Sequence, residues 1–291
     1  MTNWQQHIAA WTEQACLLEV TSPKPGNVSP NREFSDSSVK DFCRSARAVA
    51  PEIGLATERP LGVTILRSVQ ATRNVVNHNT NLGIILLLAP LAAIPKGRSL
   101  TDGIHEILQT TTVQDSLNVY EAIRIAQPAA LGKADNQDLN QTPTETLVEC
   151  MRLAADRDLI ARQYVTGFHD VLIRGVSWLR ESMEVTPSQT QQIVWLSLRL
   201  MAEFGDSLIA RKCGAEMSGR VQNKAAGILA NGWPHTPESH RELHEFDEFL
   251  REDGHRRNPG TTADLVAGIL FAALREGWYP PSHDGAASTM I

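Results

Sequence analysis

The sequence predicts an all-α protein, folded as a single compact multi-helix domain around a buried apolar central helix. Three observations support this fold class. Apolar residues recur at helical spacing along most of the 291-residue chain. No segment alternates polar and apolar residues over the length of a strand. Aromatic residues, which are enriched in strands, make up only 5% of the chain.

The first two helices are predicted from an apolar stripe and from proline positions. The stripe consists of Ile8, Trp11, Ala15 and Leu18. This helix must end near Thr21, because two prolines and a glycine follow within five residues. A second helix is expected over 38–49 and should stop before Pro51, because the residue preceding a proline disfavours helical backbone.

Residues 82–94 form the most apolar segment and predict the buried central helix. A membrane-spanning helix needs about 20 apolar residues, so this shorter segment fits a protein core and we expect no membrane contact. The remaining helices are expected at 60–76, 101–109, 113–126, 144–155, 158–181, 187–204, 207–213, 216–231, 237–251 and 262–276.

Composition narrows the choice of partners and compartment. The net charge of -6 argues against nucleic acid as a partner, because duplex binding depends on a basic surface. Four widely spaced cysteines and the absence of a basic, apolar leader predict reduced thiols in a cytoplasmic protein.

The first segment with chemical potential follows the first helix and contains Glu19, Lys24, Gly26 and Asn27. Its prolines fix the backbone, the glycine allows close approach to a ligand, and the lysine is a compact charge suited to phosphate. The alternative is a rigid turn with a solvated lysine.

The second segment places Asn79, Thr80 and Asn81 before the apolar helix. A helix N-terminus presents free N–H groups to an anion, which favours ligand contact. Capping of the helix by one asparagine is the alternative.

The third segment runs from Asp206 through Arg211 and Lys212 to Gly214. It supplies a carboxylate and two cations. A short helix that Asp206 caps and Gly214 ends would explain the same residues.

The fourth segment contains Arg256, Arg257 and Asn258 before a Pro-Gly turn, then Thr261 and Asp264. Adjacent arginines suit an oligophosphate. The alternative for the last two residues is a capping box at the start of the final helix.

These segments resemble the triphosphoribosyl-dephospho-CoA synthase family. The similarity covers about residues 15–276, and it includes Tyr120–Arg124 and Asp158–Arg162. The chain departs from the family pattern at Ser29, where members often have His, and at Ala129 and Ala130, where many have glycines. The resemblance implies a helical transferase that joins ATP to 3′-dephospho-CoA, releases adenine and forms a prosthetic-group precursor.

For this reaction the resemblance suggests a role for each group of residues. The catalytic carboxylates would be Asp206, Asp264 and Glu19. Asp206 and Asp264 would also hold Mg²⁺ on the triphosphate. The ligand contacts would be Lys24, Gly26, Asn27, Asn79, Asn81, Arg211, Lys212, Arg256, Arg257 and Asn258.

Two other functions remain open from the sequence. A paralogous enzyme could transfer a phosphoribosyl-type group during synthesis of another cofactor, such as a methanopterin-type one-carbon carrier. A non-catalytic nucleotide-binding regulator would keep the cations but could lose the carboxylates. We expect residues 1–278 to form the helical catalytic domain, 279–291 a flexible C-terminal tail, and the long apolar helix to serve either a monomer core or a homodimer.

Overall fold

A computed structural model of the protein describes residues 1–128 and 136–281. The described chain is 69% helical and has no strand, which confirms the all-α prediction. Its helices are α1 (Asn3–Thr21), α2 (Val39–Gly54), α3 (Leu61–Arg73), α4 (Leu82–Ala93), α5 (Leu100–Gln109), α6 (Val113–Ala126), α7 (Leu147–Arg152), α8 (Leu159–Thr166), α9 (Val176–Val185), α10 (Gln189–Phe204), α11 (Ser207–Cys213), α12 (Ala215–Ala230), α13 (Pro237–Arg251) and α14 (Gly260–Arg275).

The apolar helix α4 lies at the centre of the core, as predicted. Pro90 inside it cannot donate a backbone hydrogen bond, which leaves the carbonyl of Leu86 free. The buried Tyr164 hydroxyl donates to that carbonyl at 2.7 Å. At the other end of α4, the Arg275 guanidinium donates to the carbonyls of Leu91 and Ile94, a favourable place for a cation. Burial lowers the pKa of Arg275 to about 10.

Helix α14 is the second buried element, and it packs against α1 and α4. Thirteen of its residues are buried. Because α4 and α14 both begin at polar loops and continue into the core, their N-terminal ends carry polar side chains to one side of the molecule.

Helix α2 continues past the expected stop at Pro51 and ends at Gly54. Val49, Ala50 and Ile53 are at most 4% exposed. Burial of this apolar face offsets the lost hydrogen bond, because most helix stability in proteins comes from tertiary packing.

The prediction of a single helix over 158–181 is wrong. Gly167 and Phe168 adopt positive φ of 64° and 59°, and the chain turns there before a π-helical segment, Asp170–Gly175, leads into α9. The reason is packing: Phe168 is fully buried, and its ring lies 5.6 Å from that of Tyr164.

The end of the described chain is anchored to the core. Tyr279, the first residue assigned to the tail, is 3% exposed, and its hydroxyl donates to Gln192 Oε1 at 2.9 Å. Residues 282–291 lie outside the described part. The four cysteines are unpaired, and within the described residues no helix has the length and apolar character needed to span a bilayer.

Candidate active site

A cleft of about 570 Å³ opens where the N-terminal ends of α4 and α14 meet, a size typical of ligand pockets. Segments from all four regions singled out in the sequence contribute to its wall. The predicted residues that line it are Glu19, Asn27, Asn79, Asn81, Arg211, Lys212, Asn258 and Asp264. Lys24, Gly26, Asp206, Arg256 and Arg257 are outside this lining.

Asp264 presents a free carboxylate to the cleft. It has no hydrogen-bond or ion-pair partner among the described residues. The capping box proposed for it is wrong, because α14 starts at Gly260 after Pro259 and Thr261 bonds to Ser207 instead. Burial raises the pKa of the Asp264 carboxyl well above its ordinary value, and the negative charge of Glu19 adds to the shift.

Gly83 in the first turn of α4 lies directly against Asp264. A Cβ atom at position 83 would overlap the Asp264 carboxylate. A larger residue at position 83 would therefore force the Asp264 carboxylate to move, so the absence of a side chain at Gly83 leaves the space that this carboxylate occupies.

Glu19 faces the cleft from the end of α1 and pairs with a buried lysine. Glu19 Oε1 lies 2.8 Å from Lys24 Nζ. The ammonium also donates to the backbone carbonyls of Glu19 and Ser22, so all three of its N–H groups are used. The Lys24 side chain is fully buried and holds Glu19 in place, whereas the sequence predicts a phosphate contact.

Asp206 is a structural cap in this geometry. One carboxylate oxygen accepts from the backbone N–H groups of Leu208 and Ile209 at 2.9 and 3.0 Å. The other accepts from the N–H and hydroxyl of Thr262, both at 2.8 Å. The residue is 0% exposed, so neither oxygen is available to a ligand, and Asp206 instead joins the starts of α11 and α14. Burial raises the pKa of its carboxyl, although the hydrogen bonds act in the opposite direction.

Arg211 is bound to a carboxylate that the sequence reasoning did not select. Its guanidinium donates to Asp158, whose second oxygen caps α8 through Ile160 and Ala161. Both Arg211 and Asp158 line the cleft. The Asp158–Arg162 segment was noted for its family resemblance. However, an ion pair between residues 53 positions apart cannot be inferred from sequence spacing.

Lys212 is less tightly bound than its neighbour Arg211. Its Nζ lies 3.5 Å from Asn258 Oδ1, a weak contact that leaves the ammonium free for a ligand. Burial lowers the pKa of Lys212, while Asp206 opposes the shift and Asp36 does so more weakly. An anion in the cleft would therefore stabilise the charged form of this lysine.

The arginines of the fourth segment are occupied elsewhere. Arg256 is exposed and donates to the carbonyl of Lys212. Arg257 donates to the carbonyl of Phe249 at 2.7 Å and lies over its ring at 4.6 Å. Both hold the 252–258 loop in place rather than facing the cleft.

Asn27 and Gly26 form a close-packed turn. Gly26 has φ of 74°, and a Cβ atom there would lie 2.7 Å from Leu250 Cβ. Its N–H donates to Asp247 at 2.7 Å. Asn27 Nδ2 donates to Pro259 O at 3.4 Å, which ties this loop to the start of α14.

The asparagines before α4 have different partners. Asn79 Oδ1 accepts from the N–H groups of Asn81 and Leu82 at 3.3 and 3.0 Å, so Asn79 performs the capping. Asn81 Oδ1 accepts from Thr72 Oγ1 at 3.0 Å. Thr80 bonds to the Ser45 hydroxyl at 2.6 Å.

The opposite end of the cleft is apolar and was not predicted. It is formed by α4, α6, α7 and α8. Its apolar lining includes Leu86, Val119, Ile123, Leu147, Met151, Leu153 and Ile160, and the loop before α7 adds the polar side chains of Asn136, Gln137 and Asp138. Tyr120 stands at its edge and donates to Gln137 O at 2.6 Å. The cleft therefore joins a charged end to an apolar end.

Comparison with known proteins identifies this arrangement. The family model for ATP:dephospho-CoA triphosphoribosyl transferases matches residues 5–282. The chain belongs to this family. A solved structure from Archaeoglobus fulgidus, described as a candidate triphosphoribosyl-dephospho-CoA synthase, is similar with a TM-score of 0.64 and 30% identity, covering 81% of this chain and 99% of that one.

The family assignment confirms the resemblance inferred from sequence and makes the chain a transferase. Of the two departures from the family pattern, Ser29 is buried, bridges to Arg32 through its backbone and does not line the cleft. Ala129 and Ala130 lie outside the described residues.

A triphosphoribosyl transferase binds a polyphosphate, which usually carries Mg²⁺. Whether the cleft could hold this ion depends on its carboxylates. Within residues 1–128 and 136–281, no group of three or more His, Cys, Asp and Glu is arranged to hold a metal. Mg²⁺ on a nucleotide needs only one or two carboxylates besides phosphate oxygens and water. Asp206 does not fit, because its oxygens are occupied. Asp36 fits, because it lines the cleft near Lys212 and makes no hydrogen bond among the described residues.

Proposed function

We propose that this cleft transfers the triphosphoribosyl group of ATP to 3′-dephospho-CoA, with Asp264 as the catalytic carboxylate. The free Asp264 side chain carries the proposal, since it is the predicted carboxylate that combines cleft exposure, a raised pKa and no partner. In the reaction, the 2′-hydroxyl oxygen of the acceptor bonds to C1′ of ATP. The bond from C1′ to the adenine nitrogen breaks, and the electron pair leaves with adenine.

Asp264 would accept the proton of the attacking hydroxyl. A carboxyl whose pKa is raised toward the working pH is a stronger base than an ordinary aspartate, which suits general-base catalysis. The proton can then pass from Asp264 to the departing adenine. Overall, the acceptor hydroxyl loses one proton and adenine gains one.

Glu19 would stabilise the positive charge that builds on the sugar as the glycosidic bond breaks. Carboxylates perform this role in glycoside hydrolysis. Lys24 holds Glu19 from behind at 2.8 Å and keeps the carboxylate directed at the cleft. Preorganisation of this kind is the main source of electrostatic catalysis.

The triphosphate would lie toward Lys212 and Arg211. Mg²⁺, held by phosphate oxygens and Asp36, would neutralise part of its charge. The triphosphate is attached at C5′, so a metal on its outer phosphates would lie away from C1′. Asp36 would therefore bind the metal, whereas Asp264 would act at C1′.

The apolar end of the cleft suits the acceptor. The pantetheine arm of dephospho-CoA carries methyl groups and a long uncharged chain, whereas ATP has no comparable apolar extension. Burial of apolar surface contributes about 25 cal/mol per Å², which would favour the arm between α6 and α7.

The test is incubation of the purified protein with Mg²⁺, ATP and 3′-dephospho-CoA, followed by chromatography of adenine and mass measurement of the adduct. We expect both products from the wild type and a loss of about 10²–10⁴-fold in Asp264→Asn. Glu181→Gln is the matched control, because Glu181 is exposed and forms no ion pair among the described residues. Adenine without the adduct would assign a different acceptor, and no adenine would refute the proposed reaction.

A further inference from the structure

Two buried amide atoms in the cleft have no hydrogen-bond partner. They are Asn27 Oδ1 and Asn81 Nδ2. Each residue is only 5% exposed, and both line the cleft. A buried polar atom without a partner destabilises the folded protein, and such atoms are uncommon in native proteins. The pair therefore points to a ligand that completes these bonds.

The hydrogen bonds on the opposite side of each amide set its orientation. Asn27 Nδ2 donates to Pro259 O, and a backbone carbonyl can only accept, so Oδ1 is the free atom. Asn81 Oδ1 accepts from Thr72 Oγ1, which leaves Nδ2 free in this structure; the flipped amide would instead leave Oδ1 free, because a hydroxyl can also accept. Asn27 thus offers an acceptor to the cleft, and Asn81 offers a donor.

This combination excludes the triphosphate as the partner of Asn27, because ionised phosphate oxygens accept hydrogen bonds and do not donate. A hydroxyl group can do both. Asn27 therefore needs a partner that donates and Asn81 one that accepts, and the hydroxyls of a sugar satisfy either amide.

The positions of the two asparagines indicate which hydroxyls of ATP they bind. Asn27 is bonded to Pro259, just before α14 and Asp264. Asn81 is two residues from Gly83, whose backbone meets the same carboxylate. The amides thus stand on the two loops that flank Asp264. If C1′ of ATP reacts there, the 2′- and 3′-hydroxyls, on the same sugar ring, are close to these loops.

We propose that Asn27 Oδ1 and Asn81 Nδ2 bind the 2′- and 3′-hydroxyls of the ATP ribose and make the enzyme selective for ribonucleotides. This inference rests on the proposed function for the placement of C1′ at Asp264. A site built to bond a substrate hydroxyl rejects the analogue that lacks it far more strongly than an apolar pocket does, because the buried polar atom is left unpaired.

The test is equilibrium binding by calorimetry of ATP, 2′-deoxy-ATP, 3′-deoxy-ATP and inosine triphosphate, without acceptor. For the wild type we expect each deoxy analogue to bind about 10-fold or more weakly than ATP. In Asn81→Ala the preference over one deoxy analogue should fall to about 2-fold or less. Glu181→Gln is the comparison variant, because Glu181 is exposed and does not line the cleft, and it should leave the preference intact.

The wild-type measurements decide the matter even if a variant does not fold. Equal binding of ATP and both deoxy analogues would overturn the proposal. A preference over inosine triphosphate alone would assign the amides to the base and would also overturn it. The adenine-release assay is read separately: normal turnover with no ribose preference would reject this inference alone, whereas tight, ribose-selective ATP binding without adduct would reject the proposed reaction.

Discussion

Gly83 and Asp264 are in direct contact, the backbone of one against the carboxylate of the other, although 181 residues separate them in the chain. The contact brings the N-terminal ends of the two most buried helices together at the cleft. Asp264 lies in the second turn of α14, where it caps no helix and has no ion-pair partner among the described residues. The catalytic proposal depends on this geometry, and so do several of the measurements below.

The first prediction concerns the close approach itself. Gly83→Ala should place a methyl group on the Asp264 carboxylate and displace it, which we expect to lower kcat by about 10²-fold, because displacements of about 1 Å in a catalytic group have effects of this size. Rates of adenine release would measure it. Gly219→Ala is the control, because a methyl group added at that helical glycine would meet no neighbour within 4 Å and alanine favours helix. An active Gly83→Ala enzyme would argue against Asp264 as the base.

The second prediction concerns the different effects of Asp264 and Asp206 on stability. Asp264→Asn should raise Tm by about 2–4 °C, the shift that about 1 kcal/mol gives in a protein of this size. The folded pKa of Asp264 lies above the ordinary 3.8, so its charge costs stability as pH rises through that window, and the gain should disappear in acid. Asp206→Ala should instead lower stability by about 2 kcal/mol or more, since it leaves four buried hydrogen-bond donors unpaired. Thermal melts at two pH values would show both effects.

The third prediction concerns pH and rate. If Asp264 must be ionised to accept a proton, kcat/KM should fall on the acid side at a pH above the ordinary aspartate value of 3.8. Glu19 raises the pKa of Asp264, so Glu19→Gln should move this acid limb to lower pH, whatever it does to the maximum rate. A limb that stays in place in Glu19→Gln would show that another group controls it.

The fourth prediction distinguishes the two lysines. Lys212→Met should raise KM for ATP by about 10-fold, because its ammonium faces the cleft with only a 3.5 Å contact to Asn258. Lys24→Met should mainly lower stability, by about 3–5 kcal/mol, because it leaves Glu19 buried without its partner. Steady-state kinetics and urea unfolding would separate the cases. A Lys24 variant that folds normally but loses ATP affinity would restore its role as a phosphate contact.

Sequence patterns predicted the fold class and the segments of the site, but not the direction of each side chain. The apolar helix α4 and the end of α1 were predicted because periodicity and proline positions are local signals. Glu19, Asn27, Asn81 and Asp264 do meet in the cleft. Lys24 and Asp206 face inward instead, and Arg256 and Arg257 bind backbone carbonyls.

These differences have one physical cause. Loop residues have no period that sets their direction, so a lysine suited to phosphate and a lysine suited to a buried ion pair look the same in sequence. The Asp158–Arg211 pair and the apolar end of the cleft also depend on contacts between distant segments. Such contacts follow from helix packing, which one sequence does not specify by spacing alone.

The last prediction tests which substrate occupies the apolar end. Ile123→Asp would place a charge in the cleft wall that Val119, Leu147 and Met151 also line, and charged groups are strongly disfavoured in apolar surroundings. We expect KM for 3′-dephospho-CoA to rise by about 10-fold or more while binding of ATP alone changes little. Ile123→Val is the matched control, since it removes one methylene and keeps the surface apolar. An equal loss of ATP affinity would instead place the adenine ring against α6, and the acceptor would then have to enter from the charged end.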